Sequence, residues 1–227
     1  MLIRKVALER LKAAGLVAVL EGMPRAQVLS CVEALLAGGV DCIELSVLGS
    51  DSLRVFRELR ATYLGRLCLG AGGVFNADLA ALAVGLDVDF ISSPNADPLI
   101  VDVCRARDVL ACPAALTPTE VMRVWHSGAD LIKIMPASAL GPEYVAHLKR
   151  HYPSVEVVTS GGVNEANAAS FLQAGASAVM IGHGLCAPAL LADGDYPAVT
   201  ARARRLVALV ATARPEAAPA ASLHRAA

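Results

Sequence analysis

A (β/α)8 TIM barrel with an extra N-terminal helix is the architecture this sequence predicts, over residues 1–213. Eight short apolar runs alternate with eight helical patterns after one leading helix. Most of these runs are continuously hydrophobic, as parallel strands covered on both faces must be. No G-x-G-x-x-G fingerprint follows the first strand, which sets aside a doubly wound open sheet.

The elements follow in order. MLIRKVALERLKAAG mixes charged and apolar residues at helical spacing, and Leu16–Leu20 is a first strand closed by Gly22-Met23-Pro24. Residues 24–38 carry apolar positions at Val28, Cys31, Val32, Leu35 and Leu36 and stop at Gly38-Gly39, which marks a helix. Asp41–Leu45 is the second strand, Ser50–Tyr63 a helix, and Leu67–Leu69 the third strand, closed by Gly70-Ala71-Gly72-Gly73. A helix from Asn76 leads to a strand at 89–92, and a helix from Asp97 leads to one at 109–113. Thr117-Pro118-Thr119-Glu120 has the form of a capping box with proline at the first helical position. Its helix ends near Gly128, before the apolar run 130–136. Then come a helix over 142–151, a strand over 155–159, a helix over 164–175, a strand over 177–181 and a last helix over 197–213. Residues 214–227 are rich in Ala and Pro, show no apolar stripe, and are expected to be disordered.

The chain has 56% hydrophobic and 18% charged residues, enough for a sizeable core, and its formal net charge is −1. No basic block points to nucleic acid or an anionic membrane. The N-terminus lacks the uninterrupted apolar stretch of a signal peptide or a membrane span. Six scattered cysteines without a C-x-x-C pair fit buried thiols in a reducing, cytoplasmic setting. No H-x-x-x-H motif or carboxylate–histidine cluster suggests a metal, so neither a metal nor another cofactor is expected. His126, His147 and His151 fall on helices and read as surface residues.

Lys133 is the residue that most needs explaining. The chain has four lysines (Lys5, Lys12, Lys133 and Lys149) among its 20 basic residues, and one of them sits inside an apolar strand. A buried amine is a nucleophile able to form a Schiff base with a carbonyl; a lysine at the exposed end of a short strand would instead snorkel to water. Glu44, between Ile43 and Leu45, is equally out of place. It reads as a proton shuttle, as a structural partner of Lys133 across the barrel, or as both. Active groups of such barrels gather at the C-terminal ends of strands, and phosphate sites there use the last two loops. The Ser160-Gly161-Gly162-Val163-Asn164 loop and Gly182-His183-Gly184 occupy those positions, so Gly161, Gly162, Gly182, His183 and Gly184 form a candidate anion site. The glycines at 70–73 imply close approach of backbone to a ligand or loop, or a turn.

With these residues assembled, the chain resembles the 2-keto-3-deoxy-6-phosphogluconate / 2-keto-4-hydroxyglutarate (KDPG/KHG) class I aldolase family, particularly its 6-phosphogalactonate branch. The resemblance spans about residues 14–212 and rests on Ile43-Glu44-Leu45, Gly70-Ala71-Gly72, Ser93-Pro94-Asn95 and Cys112-Pro113. It also rests on Lys133-Ile134-Met135-Pro136, the run from Ala139 to Tyr144, Gly161-Gly162-Val163 and Gly194-Asp195-Tyr196. It implies a carbon–carbon lyase, without metal, in which Lys133 forms the imine and Glu44 is the acid/base. The reaction implied is cleavage of a 2-keto-3-deoxy (phospho)sugar acid to pyruvate and an aldehyde, in a homotrimer. It also implies that positions Glu21, Gly73, Pro94 and Ser160 meet the substrate. Two departures stand out. Glu21 occupies the place of an arginine that would grip the substrate carboxylate, with Arg25 the nearest arginine, and Gly73 occupies the place of a threonine. Leu48 and Gly184 also replace polar family residues. The alternatives are therefore a divergent member with an altered substrate and a catalytically inactive barrel.

Overall fold

The structure, a computed structural model, describes residues 3–49 and 51–213, so the predicted tail at 214–227 lies outside the described residues. Eight strands close into a barrel in sequence order: β1 Leu16–Leu20, β2 Cys42–Ser46, β3 Cys68–Gly72, β4 Phe90–Ser93, β5 Leu110–Ala115, β6 Ile132–Ile134, β7 Val157–Thr159 and β8 Ala178–Ile181. Every neighbouring pair is parallel, including β1 with β8. The helices are α1 Ile3–Ala14, α2 Arg25–Ala37, α3 Ser52–Tyr63, α4 Ala77–Val84 and α5 Pro98–Ala106, then α6 Pro118–His126, α7 Gly141–His151, α8 Ala168–Gln173, α9 Pro188–Ala192 and α10 Tyr196–Ala213.

The continuous apolar runs have the cause expected of them. Alternate residues of each strand point to two different cores. Val17, Cys42, Cys68, Phe90, Leu110, Cys112, Val158, Ala178 and Met180 fill the barrel interior. Residues such as Ala18, Ile43, Leu69, Ile91, Ala111, Ile132 and Val179 pack outward under the helices. This alternation puts Glu44 on the interior face with Cys42, Ser92 with Phe90, and Lys133 with Leu131.

Several sequence expectations need correction. Gly70, Ala71 and Gly72 belong to β3 and are not the loop that closes it. Gly70 leaves room for the Phe90 ring and Gly72 for the Glu44 carboxyl, so these glycines serve the packing of the interior. The helix expected from Asn164 begins at Ala168, because residues 165–167 form a turn held by the Asn164 and Asn167 side chains. The 130–136 run is a strand only over Ile132–Ile134 and then turns into a short 3-10 helix, Ala137–Ala139. The five-residue α9 was not expected, since so short a segment cannot show helical periodicity. The Thr117–Glu120 capping box forms as predicted, with Pro118 opening α6.

The leading helix closes the N-terminal end of the barrel. Ala7 and Leu11 enter the interior cluster. Charged residues around them anchor α1 to several strand starts: Arg4 pairs with Asp108 and Asp130, Arg10 with Asp41 at 2.8 Å, and Lys12 with Glu156 at 2.8 Å. Burial opposes the charged Glu156 carboxylate, but hydrogen bonds from Lys12 and Ser177, together with the Lys12 and Lys149 charges, outweigh it and hold the carboxyl below its ordinary 4.5. A carboxyl depressed on folding adds stability that is complete above its unfolded value and is lost as pH falls through the folded one. Unfolding free energies of wild type and Glu156→Gln should therefore differ most near neutrality and converge on the acid side of 4.5. A gap independent of pH would show that this ion pair has no part in acid sensitivity.

Candidate active site

Strand β6 is short, and Lys133 is its central residue, with Leu131 and Val158 nearby on the interior side. The lysine is 4% exposed, so it does not snorkel to water. Its Nζ donates a 2.6 Å hydrogen bond to Ser92 Oγ on β4, and Ser92 is fully buried. β5 lies between β4 and β6, so this bond spans the interior and is no strand-neighbour contact.

Glu44, in the middle of β2, is 3% exposed. Its Oε2 is buried and has no hydrogen-bond partner, while Oε1 lies over Gly72. Of the readings the sequence left open for Glu44, a direct pair with Lys133 is not formed: Lys133 turns to Ser92, and the Glu44 carboxyl lies on the β3 side above Gly72. Both charges still act on Cys112 of β5. Burial pushes its thiol up to about 12, with Lys133 opposing and Glu44 reinforcing the shift. Ser92 was not singled out from the sequence, although its two-residue spacing from Phe90 was the available signal.

The barrel mouth holds a cavity of about 510 Å³. Its lining includes Glu21, Ser160, Gly161, Gly162, Gly182, His183 and Gly184, so all five predicted anion-site residues and two of the four predicted substrate residues come together. Gly161 and Gly162 have φ of +80° and +78°, the left-handed region where glycine is favoured, and their backbone bends over Pro136 and Ser138. Val19, Met135 and Met180 contribute apolar lining. Met135, in the turn just past the end of β6, lines the cavity, whereas the buried Lys133 is not among its lining residues. Asn164, part of the predicted loop but not singled out as a site residue, also lines the cavity.

Gly73 and Pro94 are not among the residues lining this cavity. Gly73 follows β3 with φ +73° and packs against Leu48 and Ser46, and Pro94 is exposed at the end of β4. Arg25 is held by Glu58 through two hydrogen bonds of 2.8 and 2.7 Å and lines a separate cleft between α2 and α3. Glu21, exposed beyond β1, lines the main cavity together with His183, and the same two residues recur in an adjoining cavity of about 380 Å³. His126, His147 and His151 are exposed, as expected. Among the described residues no group of three His, Cys, Asp or Glu could hold a metal ion, and no helix is long and apolar enough to cross a membrane.

The seat of Glu44 can be tested without an activity. A Cβ on Gly72 would overlap the Glu44 carboxyl. Gly72→Ala is expected to cost about 1–3 kcal/mol, the range for overpacking a filled interior. In a Glu44→Ala background the same change should cost clearly less, a coupling that denaturant titrations of the four proteins would measure. Strict additivity would show that the carboxyl does not rest on Gly72.

The family described as KDPG and KHG aldolase matches residues 7–202. The chain is 28% identical over 171 residues to the 2-dehydro-3-deoxy-6-phosphogalactonate aldolase of Escherichia coli strain K12, across 75% of this chain and 83% of that protein. It is 30% identical over 182 residues to the 2-dehydro-3-deoxy-phosphogluconate aldolase of Treponema pallidum strain Nichols, across 78% of this chain and 84% of that protein. A native KDPGal structure superposes with a TM-score of 0.81 at 25% identity, covering 87% of this chain and 95% of the other. A buried lysine and glutamate beneath a glycine-lined mouth thus stand in a sequence matched over almost the whole barrel, and the chain belongs to the KDPG and KHG aldolase family.

Proposed function

We propose that the protein is a Schiff-base aldolase that cleaves a 2-keto-3-deoxy (phospho)sugar acid to pyruvate and an aldehyde. The observation that carries this reading is the fully enclosed Lys133 amine, held by one neutral hydroxyl with an unpartnered Glu44 oxygen in the same interior. Nζ adds to the keto carbon, and the resulting carbinolamine loses water to give an iminium. Glu44 then accepts the proton of the hydroxyl one carbon beyond the methylene. The carbon–carbon bond breaks, its electron pair enters the iminium to form an enamine, and the aldehyde departs. Protonation of the enamine carbon and hydrolysis of the imine release pyruvate and restore the lysine. The glycine loops at 161–162 and 182–184 are the place for a terminal phosphate, with His183 as a further donor, and Ser160 borders the same cavity.

One observation favours an altered substrate. Glu21 lines the cavity, and among its described lining residues there is no lysine or arginine to face a carboxylate. Arg25, the nearest candidate in sequence, is committed to Glu58. A keto acid approaching Glu21 meets repulsion in place of a bidentate clamp, which supports a carbonyl substrate lacking the vicinal carboxylate, or a barrel without turnover. Glu21→Arg should lower KM for a keto acid, or Kd for pyruvate, by about tenfold, the scale of one charge-assisted contact. Unchanged affinity would place residue 21 outside the substrate's path.

We further propose a homotrimer in a reducing cytoplasmic setting. The six free cysteines fit that setting, and exposed Phe75 and Leu99 offer apolar surface for subunit contacts.

Borohydride reduction in the presence of pyruvate, followed by peptide mass analysis, tests the central reading. A pyruvyl adduct on Lys133 is expected. Lys133→Ala should abolish both adduct and cleavage, and Glu44→Gln should slow cleavage by about 10²–10⁴-fold while leaving the adduct in place. Full activity in the Lys133 variant would refute the assignment. An adduct formed only with a carbonyl that lacks a carboxylate would establish the altered substrate, and no adduct with any carbonyl the inactive barrel.

A further inference from the structure

We propose that Ser92 is a catalytic partner of Lys133: its hydroxyl oxygen accepts the single N–H of the iminium and thereby stabilises the imine. This inference rests on the imine-forming reading of Lys133. Ser92 Oγ lies 2.6 Å from Nζ, across the barrel interior, and both side chains are enclosed, at 0% and 4% exposure. Among the described residues Nζ has no other hydrogen-bond partner, and Oγ has none besides Nζ. Next to Ser92 itself the interior is apolar or carries a thiol, with Phe90 two residues before it on the same face and Cys112 its register partner on β5, while the Glu44 carboxyl lies on the β3 side above Gly72. A hydroxyl placed in such a layer is costly unless it is engaged. The engagement here is with the atom that reacts.

The chemistry gives that contact a purpose. The neutral amine carries two hydrogens. When Nζ bonds to the carbonyl carbon, one of them ends on the carbinolamine oxygen, and that oxygen leaves as water after taking up a second proton from an acid. The iminium nitrogen then keeps one hydrogen and a positive charge, on a side chain only 4% exposed. Its N–H lies in the plane of the C=N bond, so the acceptor that meets it also orients the imine plane. Ser92 neither gains nor loses a proton in these steps; it accepts a hydrogen bond throughout, and that bond strengthens when the nitrogen becomes a fixed cation. Glu44, with its free Oε2, is left to move the substrate's protons. The two polar neighbours of the lysine thus divide the work: one holds charge on nitrogen and the other transfers protons at carbon and oxygen.

The test compares wild type, Ser92→Ala and Ser92→Thr by borohydride trapping at equilibrium with pyruvate, alongside thermal unfolding of each. A hydrogen bond to a charged group lost from a dry site should reduce the trapped Lys133 imine in Ser92→Ala by about 10- to 100-fold at subsaturating pyruvate, with the protein still folded. Ser92→Thr, which keeps the hydroxyl, should recover most of it. Equal trapping in wild type and Ser92→Ala would overturn the role of Ser92 and leave the aldolase reading standing. A threonine variant no better than alanine would assign the loss to packing and overturn it too. No adduct on wild-type Lys133 with any carbonyl would overturn the aldolase reading itself, and this inference with it.

Discussion

A charged-type side chain inside a closed parallel barrel has no water to fall back on, and the hydrogen bond from Lys133 to Ser92 answers that constraint. Each strand is sealed on both faces, by the interior cluster within and by the helices outside. Whatever polar group enters the interior must find its partner on another strand. Lys133 finds it on β4, one strand beyond its neighbour β5, and Glu44 finds space above Gly72 but no hydrogen bond for its buried Oε2. An unpaired carboxylate oxygen in so enclosed a position is costly to the fold. Under the proposed aldolase reading, that cost keeps in place a group needed for reaction.

The two ends of the barrel divide stability from chemistry. At the N-terminal end, α1 inserts Leu11 and Ala7 into the interior and spreads three cationic side chains over acids at the strand starts. At the other end, glycine loops leave backbone open to a cavity, and the loops after β7 and β8 meet there because those strands are neighbours. The charge at this mouth is unusual for a site that would receive an anionic keto acid. Glu21 faces the cavity, and the nearby arginine is drawn off by Glu58 on α3. The deep part of the site, around Lys133 and Glu44, and its outer part, around Glu21 and the glycine loops, are therefore built on separate residues, and one can change without the other.

Much of this was legible in the chain itself. Continuous apolar runs, regular alternation with helices, and residues such as Thr117 and Glu120 at a helix start depend on local spacing and local hydrogen bonds, so they can be read before folding. Lys133 and Glu44 were visible for the same reason: a charged residue within an apolar strand contradicts its surroundings. The family, too, is carried by short motifs in order along the chain. The placement of the glycine loops at one mouth followed once a barrel was assumed, because strand order fixes which loops are neighbours.

Contacts between distant residues could be decided only by the tertiary structure. Whether Lys133 pairs with Glu44 or Ser92 depends on where strands of different register meet inside the barrel, a distance that neither strand encodes alone. Gly70 and Gly72 looked like a turn because glycine reports conformational freedom locally, whereas their use here is to make room for Phe90 and Glu44 from neighbouring strands. The turn before α8 is likewise set by the Asn164 and Asn167 side chains, and α9 is too short to leave a periodic trace. The sequence by itself determined the barrel and its two out-of-place charges, since periodicity and polarity are properties of single segments. The closed sheet decided which groups those charges face, since only closure brings β2, β4 and β6 around one interior.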